Sequence, residues 1–276
     1  MPEVRVLIPN DLDRALDALI RAGFAGNKAE LARAAITHFL STIPTQLQKG
    51  YDLETSFAPD GRVFQLEYAR ESMKKGGTIV GVCSTEGVVL AKEVATNAPL
   101  TVIPNPFLRI FKVHENIGIA YCGILTDGYL VVEEAVRIAE SFKDSIDIEV
   151  LARKLALFMQ PYGQRKDVRP FAVALILGGI DSKKRPRLFQ LNSAGFALEF
   201  KACTVGAGSE ESEEILRTGH KQNMSLEESI SLAIKAALRE KKEPEDVIVA
   251  TISAKTREFK EITLEEKERM WKKIFP

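Results

Sequence analysis

Apolar and polar positions along this chain switch period several times, and each switch predicts an element. Residues 4 to 8, Val-Arg-Val-Leu-Ile, alternate loosely at the strand period, with Val4, Val6 and Ile8 on one face. Pro9 ends that run. Leu12, Ala15, Leu16, Leu19 and Ile20 then recur at helical spacing, with Asn10 or Asp11 as candidate cap and Gly23 as the stop. A second helical face follows in Leu31, Ala34, Ala35, Ile36 and Phe39, with Asn27 as candidate cap and Glu30 three residues on. A strand and two helices within residues 3 to 41 cannot enclose a core, and a lone strand leaves its backbone groups unpaired. Two copies pairing their strands antiparallel over four helices would resolve both problems.

Ser41 to Lys49, carrying Pro44 and polar residues, reads as a hinge. The chain therefore divides into a module over 1–43, a linker over 44–50 and a body over 51–276. In the body, strand patterns fall at 78–83, 87–92, 109–113, 117–122, 171–177, 187–191, 197–201, 204–206 and 247–252. Helical patterns fall at 64–74, 127–142, 148–160, 210–220, 226–239 and after Thr263. Strands, two helices, strands, then helices imply two stacked antiparallel sheets with helices on both faces, an α+β fold.

Composition narrows the class. The 276 residues are 45% hydrophobic and 28% charged, ordinary for a globular protein. Lysine plus arginine and aspartate plus glutamate each number 38, so no net charge steers a polyanion. No apolar run reaches membrane-spanning length and no signal peptide precedes residue 4, so the expectation is a cytoplasmic protein. Cys83, Cys122 and Cys203 each lie in an apolar run and read as buried free thiols. His38, His114 and His220 are isolated, read as structural or surface residues, and nothing with metal-site spacing accompanies them, so neither metal nor cofactor is expected. The Glu210–Glu214 run and Lys241-Lys242 read as solvated faces and turns.

Two resemblances sharpen this. VRVLIP…AGFAGNKAELARAAITHFL resembles ribbon-helix-helix DNA-binding proteins (the Arc/MetJ type). Residues 50 to 77, GYDLETSFAPDGRVFQLEYARESMKKGG, resemble the amino-terminal signature of proteasome α-type subunits. That likeness continues through Glu86-Gly87-Val88-Val89-Leu90, Arg109-Ile110-Phe111-Lys112-Val113, Val168-Arg169-Pro170-Phe171-Ala172-Val173, Asn192-Ser193-Ala194-Gly195 and Thr204-Val205-Gly206-Ala207-Gly208. It implies a four-layer αββα sandwich, the Ntn-hydrolase fold. It further implies that the helix near Phe64 takes part in assembling seven-membered rings, and that Tyr51, Asp52, Pro59 and Tyr68 match the cluster holding the axial gate's turn. The spacing from Asp52 to Pro59 is one residue shorter than the family's. In the family the signature opens the chain; here a module stands where the gating tail would be.

The resemblance also allows a test for peptidase chemistry. Proteolytic β-type relatives use a threonine whose own α-amino group is the base, so it must be the first residue. Here the aligned threonine is Thr78, inside the chain. The family's aspartate position reads Glu93, and its lysine position falls at or beside Arg109, whose guanidinium cannot trade a proton as an amine does. No catalytic set is expected. The activator-docking lysine of α-type subunits is also missing, its place lying nearest Pro99.

For the small module, the ribbon-helix-helix likeness implies that Glu3, Arg5 and Leu7 face the DNA major groove, with Asn27 and Lys28 placed for phosphate. Residues 1 to 50 hold six basic and five acidic side chains. That charge is thin for a DNA binder unless a ring presents several arms together. Three readings stay open. In the first, the chain is a non-proteolytic, ring-forming α-type homologue that binds duplex DNA as a regulator. In the second, it is a structural α-subunit, partnered by β-type subunits, whose module gates or caps the pore. The third is enzymatic and requires cleavage before Thr78.

Overall fold

The computed structural model describes residues 7–42, 55–94, 110–142, 146–240 and 242–275. The chain divides into two compact units, 1–50 and 51–276, each described by itself.

In the first unit, helix α1 (Asn10–Arg21) and helix α2 (Lys28–Thr42) form a hairpin. Asn10 and Asp11, the expected caps, both lie inside α1. Pro9, fixed at φ −62°, is the residue before the helix, and its carbonyl accepts the first bond from the Asp13 amide. The stop at Gly23 is as expected. With φ +84° it lets the Gly23 amide reach the Ile20 carbonyl and the Phe24 amide reach the Leu19 carbonyl, the paired bonds of a Schellman end. Asn27 caps α2 through its Oδ1, which accepts the Glu30 amide at 2.9 Å, while the Glu30 carboxylate reaches back to the Gly26 amide. No residue of α1 is buried. Residues 7–9 form no strand, and residues 4–6 of the expected ribbon lie outside the described residues.

The second unit opens with helix α3 (Phe64–Met73), whose Phe64, Ala69 and Met73 are buried. Strands β1 (Ile79–Ser84), β2 (Gly87–Glu93), β3 (Phe111–His114) and β4 (Ile117–Gly123) follow, then helices α4 (Leu125–Glu140) and α5 (Ile148–Met159). Strands β5 (Val173–Ile180), β6 (Pro186–Leu191), β7 (Ala197–Glu199) and β8 (Ala202–Val205) lead to helices α6 (Ser209–Gly219) and α7 (Leu226–Leu238). Strand β9 (Val247–Ser253), a short β10 (Phe259–Glu261) and helix α8 (Leu264–Ile274) close the unit. One antiparallel sheet runs β10-β9-β2-β1-β8 and the other β3-β4-β5-β6-β7.

Alternating residues of one strand serve two apolar layers. Val88 and Leu90 of β2 point between the sheets, with Ile176 and Leu188 of the other sheet. Val89 and Ala91 point outward, under α7. On the far side, α4 and α5 cover Ile119, Tyr121, Val173 and Leu175. Gly178 lets the sheets close up, since a Cβ there would sit 2.6 Å from Val88. Helices, sheet, sheet, helices is the expected four-layer order. Among the described residues, no helix is long and apolar enough to cross a membrane.

Candidate functional site

The antiparallel pairing of β1 with β2 places Thr78 opposite Glu93: the Glu93 amide donates to the Thr78 carbonyl at 2.8 Å. The Thr78 amide, an internal peptide nitrogen, donates to Glu93 Oε2 at 3.4 Å. Thr78 has no exposed surface. Its hydroxyl donates to the Ala207 carbonyl and accepts from Arg239 Nη1 at 2.5 Å. Arg239 follows the last turn of α7 at φ +62°, a left-handed conformation costly for a side-chain-bearing residue. Its guanidinium also holds the Ala237 carbonyl at 2.9 Å and both Glu93 oxygens at 3.0 and 3.2 Å. Lys242 Nζ adds a bond to Glu93 Oε1 at 2.7 Å.

The electrostatics follow from this geometry. Burial alone would raise the Glu93 carboxyl, but hydrogen bonds from Lys242 and Arg239 outweigh it and hold the group below its ordinary value. A nucleophile needs a free proton acceptor beside its hydroxyl. Here Thr78 has a guanidinium beside it, which stays protonated. The arrangement is a closed ionic cluster.

Sequence reasoning placed Thr78 and Glu93 at this cleft, and they meet there. Arg109 lies outside the described residues. Arg239 and Lys242 were missed. Lys242, read as part of a solvated turn, faces Glu93 instead, because a half-buried carboxylate attracts the nearest cations. The sequence signal available was only a basic pair following an apolar helix.

Of the gate-like set, Tyr51 and Asp52 lie outside the described residues. Pro59 is exposed in a tight turn closed by the Ala58 amide on the Arg62 carbonyl at 2.8 Å. Tyr68 is 45% exposed on α3, its ring 6.4 Å from that of Phe64. Arg62 grips Glu67 with two nitrogens and lies over the Phe64 ring at 4.8 Å, joining turn to helix. Among the described residues, no hydrogen bond or ring contact joins Pro59 to Tyr68. The place of the missing lysine, near Pro99, lies outside the described residues.

Of the DNA-facing set, Glu3 and Arg5 lie outside the described residues, and Leu7 is fully exposed. Asn27 serves as the α2 cap. Lys28 reaches across the hairpin to Asp13 at 2.6 Å and Asp17 at 3.0 Å, and these bonds raise its ammonium above the ordinary range. The cation expected to meet phosphate is paired, in this structure, with two carboxylates of α1.

The cysteines are free, with Cys122 and Cys203 buried and Cys83 half-buried. Burial pushes the Cys83 and Cys122 thiols up to about 11 and 12, away from thiolate chemistry. His114 Nδ1 lies 2.5 Å from Asn116 Oδ1, and His220 Nε2 lies 2.9 Å from the Cys83 carbonyl, both structural positions.

The body is thus a four-layer sandwich with a helix running in ahead of β1 and an ionic cluster at the start of its first strand. The family sequence profile described as "Proteasome subunit" matches residues 73–252. A "Proteasome subunit alpha" from Thermococcus sibiricus is 38% identical over 226 residues, covering 79% of this chain and 86% of that one. A "Proteasome subunit alpha" from Methanocaldococcus jannaschii is 34% identical over 226 residues, covering 80% and 86%. One from Methanothermobacter thermautotrophicus is 37% identical over 221 residues, covering 77% and 88%. The chain belongs to the proteasome subunit family, among its α-type members.

Proposed function

We propose that this chain is a ring-forming, non-peptidolytic α-type subunit of a proteasome core particle, and that its amino-terminal unit regulates the entrance. The observation that carries this reading is the turn and helix before β1. Ala58 to Arg62 and α3 occupy the chain where a peptidase would expose a terminal threonine. The Thr78 hydroxyl, held between Arg239 and the Ala207 carbonyl, supports a scaffold over an enzyme. A cut before residue 78 would free the amine and leave the guanidinium in place.

The module adjoins the segment that resembles the family's gate region, so its natural sphere of action is that entrance. Duplex DNA is the less favoured partner. Lys28 is paired internally, residues 1 to 50 carry six basic against five acidic side chains, and none of the three relatives above is described as DNA-binding.

The test is a core particle reconstituted from this chain and a β-type partner, with a specific protease site inserted between residues 44 and 50. Cutting the linker should accelerate hydrolysis of long unfolded peptides while hydrolysis of tripeptide substrates changes little. Equal rates before and after cutting, for both substrates, would contradict a regulatory module.

A further inference from the structure

The amino-terminal hairpin has the local features of a finished structure but no interior. Its helices have 12 and 15 residues, lengths that are marginal in water without packing. Pro9, the Gly23 turn and the Asn27 cap define where α1 begins, where it ends and where α2 starts. Yet none of residues 7–37 is buried. A unit of this size needs a partner to supply the missing core.

The uncovered side of α1 carries a pattern. Asp13 and Asp17 face α2, where Lys28 holds both. Leu16 and Ile20, each three positions on, are half-buried on that flank. Leu12, Ala15, Leu19 and Ala22 lie on another, at intervals of three, four and three, the spacing of a helix–helix seam. All four are exposed, Leu12 by 50% and Leu19 by 40%.

The seam is complementary to itself in one direction. Turned antiparallel about its middle, Leu12 of one copy meets Leu19 of another, and the two Ala15 side chains lie near the axis, small enough for the helices to approach. Helix α1 carries Asp11 and Asp13 in its first turn and Arg21 in its last. Antiparallel apposition brings the acidic start of each helix to the basic end of the other, with the helix dipoles opposed as well. A parallel pair would set acid on acid and Arg21 on Arg21. Charge thus selects a second copy of α1, in this direction, as the occupant.

We infer that the seam of Leu12, Ala15 and Leu19 is a self-recognition site, by which the amino-terminal units of two copies of this chain pair through antiparallel α1 helices. The pairing is independent of how the bodies assemble, and it gives the unit a protein partner made of the same residues. An apolar seam left open would otherwise invite non-specific association.

The experiment uses the full-length chain, in which Cys122 and Cys203 are buried and Cys83 is half-buried. Ala15→Cys puts a thiol at the pairing axis, and Arg14→Cys puts one on the opposite side of α1, where the arginine is 77% exposed. Each variant, with wild type as blank, is oxidised mildly with copper phenanthroline and run on a non-reducing gel, while mass photometry reports assembly. Ala15→Cys should give covalent dimer at about tenfold the yield of Arg14→Cys or more. Adding Leu12→Glu and Leu19→Glu to the Ala15→Cys chain should bring the yield down to that of Arg14→Cys. Leu12→Cys alone should cross-link no better than Arg14→Cys, and should do so well when co-expressed with Leu19→Cys. Equal yields at positions 14 and 15 overturn the inference, and this comparison holds even if the glutamates disrupt the hairpin. A yield at position 15 that survives both glutamates overturns it too, as does strong cross-linking by Leu12→Cys alone. Bodies that stay monomeric while Ala15→Cys cross-links would count against the ring-forming reading and leave this inference standing.

Discussion

Arg239 donates a 2.5 Å hydrogen bond to the hydroxyl of Thr78, a residue 161 positions earlier in the chain. The same guanidinium holds Glu93, so one side chain ties the start of β1, the end of β2 and the end of α7 together. In a peptidase of this fold the corresponding corner must be open and carry a free amine. Here it is filled by a fixed positive charge.

Glu93→Gln should destabilise the body by about 2–4 kcal/mol, because it leaves Arg239 and Lys242 largely buried without their anion. The Glu93 carboxyl is held below its ordinary value, so its contribution is present above about pH 4.5 and is lost as pH falls through the lower folded value. Urea unfolding from pH 7 to pH 3 should therefore show the two proteins converging at the acid end. A constant gap would contradict the pairing.

Lys92 should be a liability at neutral pH. It is 5% exposed, its ammonium lies 4.4 Å from the Tyr121 ring centre, and burial pulls it down to about 8. A lysine lowered in the folded state costs stability below that value, and the cost fades as pH rises towards the unfolded value. Lys92→Met should raise the melting temperature at pH 7, with the gain shrinking between about pH 8 and 10. An advantage for wild type at pH 7 would show that the aromatic contact outweighs desolvation.

Asp127 and Arg169 should respond unequally. The carboxylate is 8% exposed and accepts from both Arg169 nitrogens, at 2.6 and 2.7 Å, and from the Ala172 amide at 2.8 Å; the arginine is 55% exposed. Asp127→Ala should cost about 1–3 kcal/mol, since the buried Ala172 amide loses its acceptor while the exposed guanidinium returns to water. Arg169→Ala should cost about 3–5 kcal/mol, because it leaves a charged carboxylate buried without its cation. A larger loss in Asp127→Ala than in Arg169→Ala, read by urea titration, would contradict this order.

Most of the sandwich was legible because its signals are local. Val88-Val89-Leu90-Ala91 is buried on both faces and reads as a continuous apolar run, and Thr263 with Glu266 writes the start of α8 into four residues. Strand β10 was missed because three residues, two of them Lys260 and Glu261, carry no alternating apolar pattern. Arg239 and Lys242 were missed for a different reason. Their partner, Glu93, is 146 and 149 positions away, and no local pattern encodes an ion pair made by tertiary folding. In the amino-terminal unit the turn chemistry at Gly23 and Asn27 was readable, whereas the pairing of Lys28 with Asp13 and Asp17 depends on how the hairpin closes.

The most direct measurement is native mass spectrometry of the full-length chain co-expressed with an archaeal β-type subunit. The account predicts a complex in which this chain forms closed rings stacked on β-type rings, with peptidase activity abolished by inhibiting the β-type partner alone. Monomers that leave the β-type subunit unbound, or peptidase activity in this chain on its own, would contradict it.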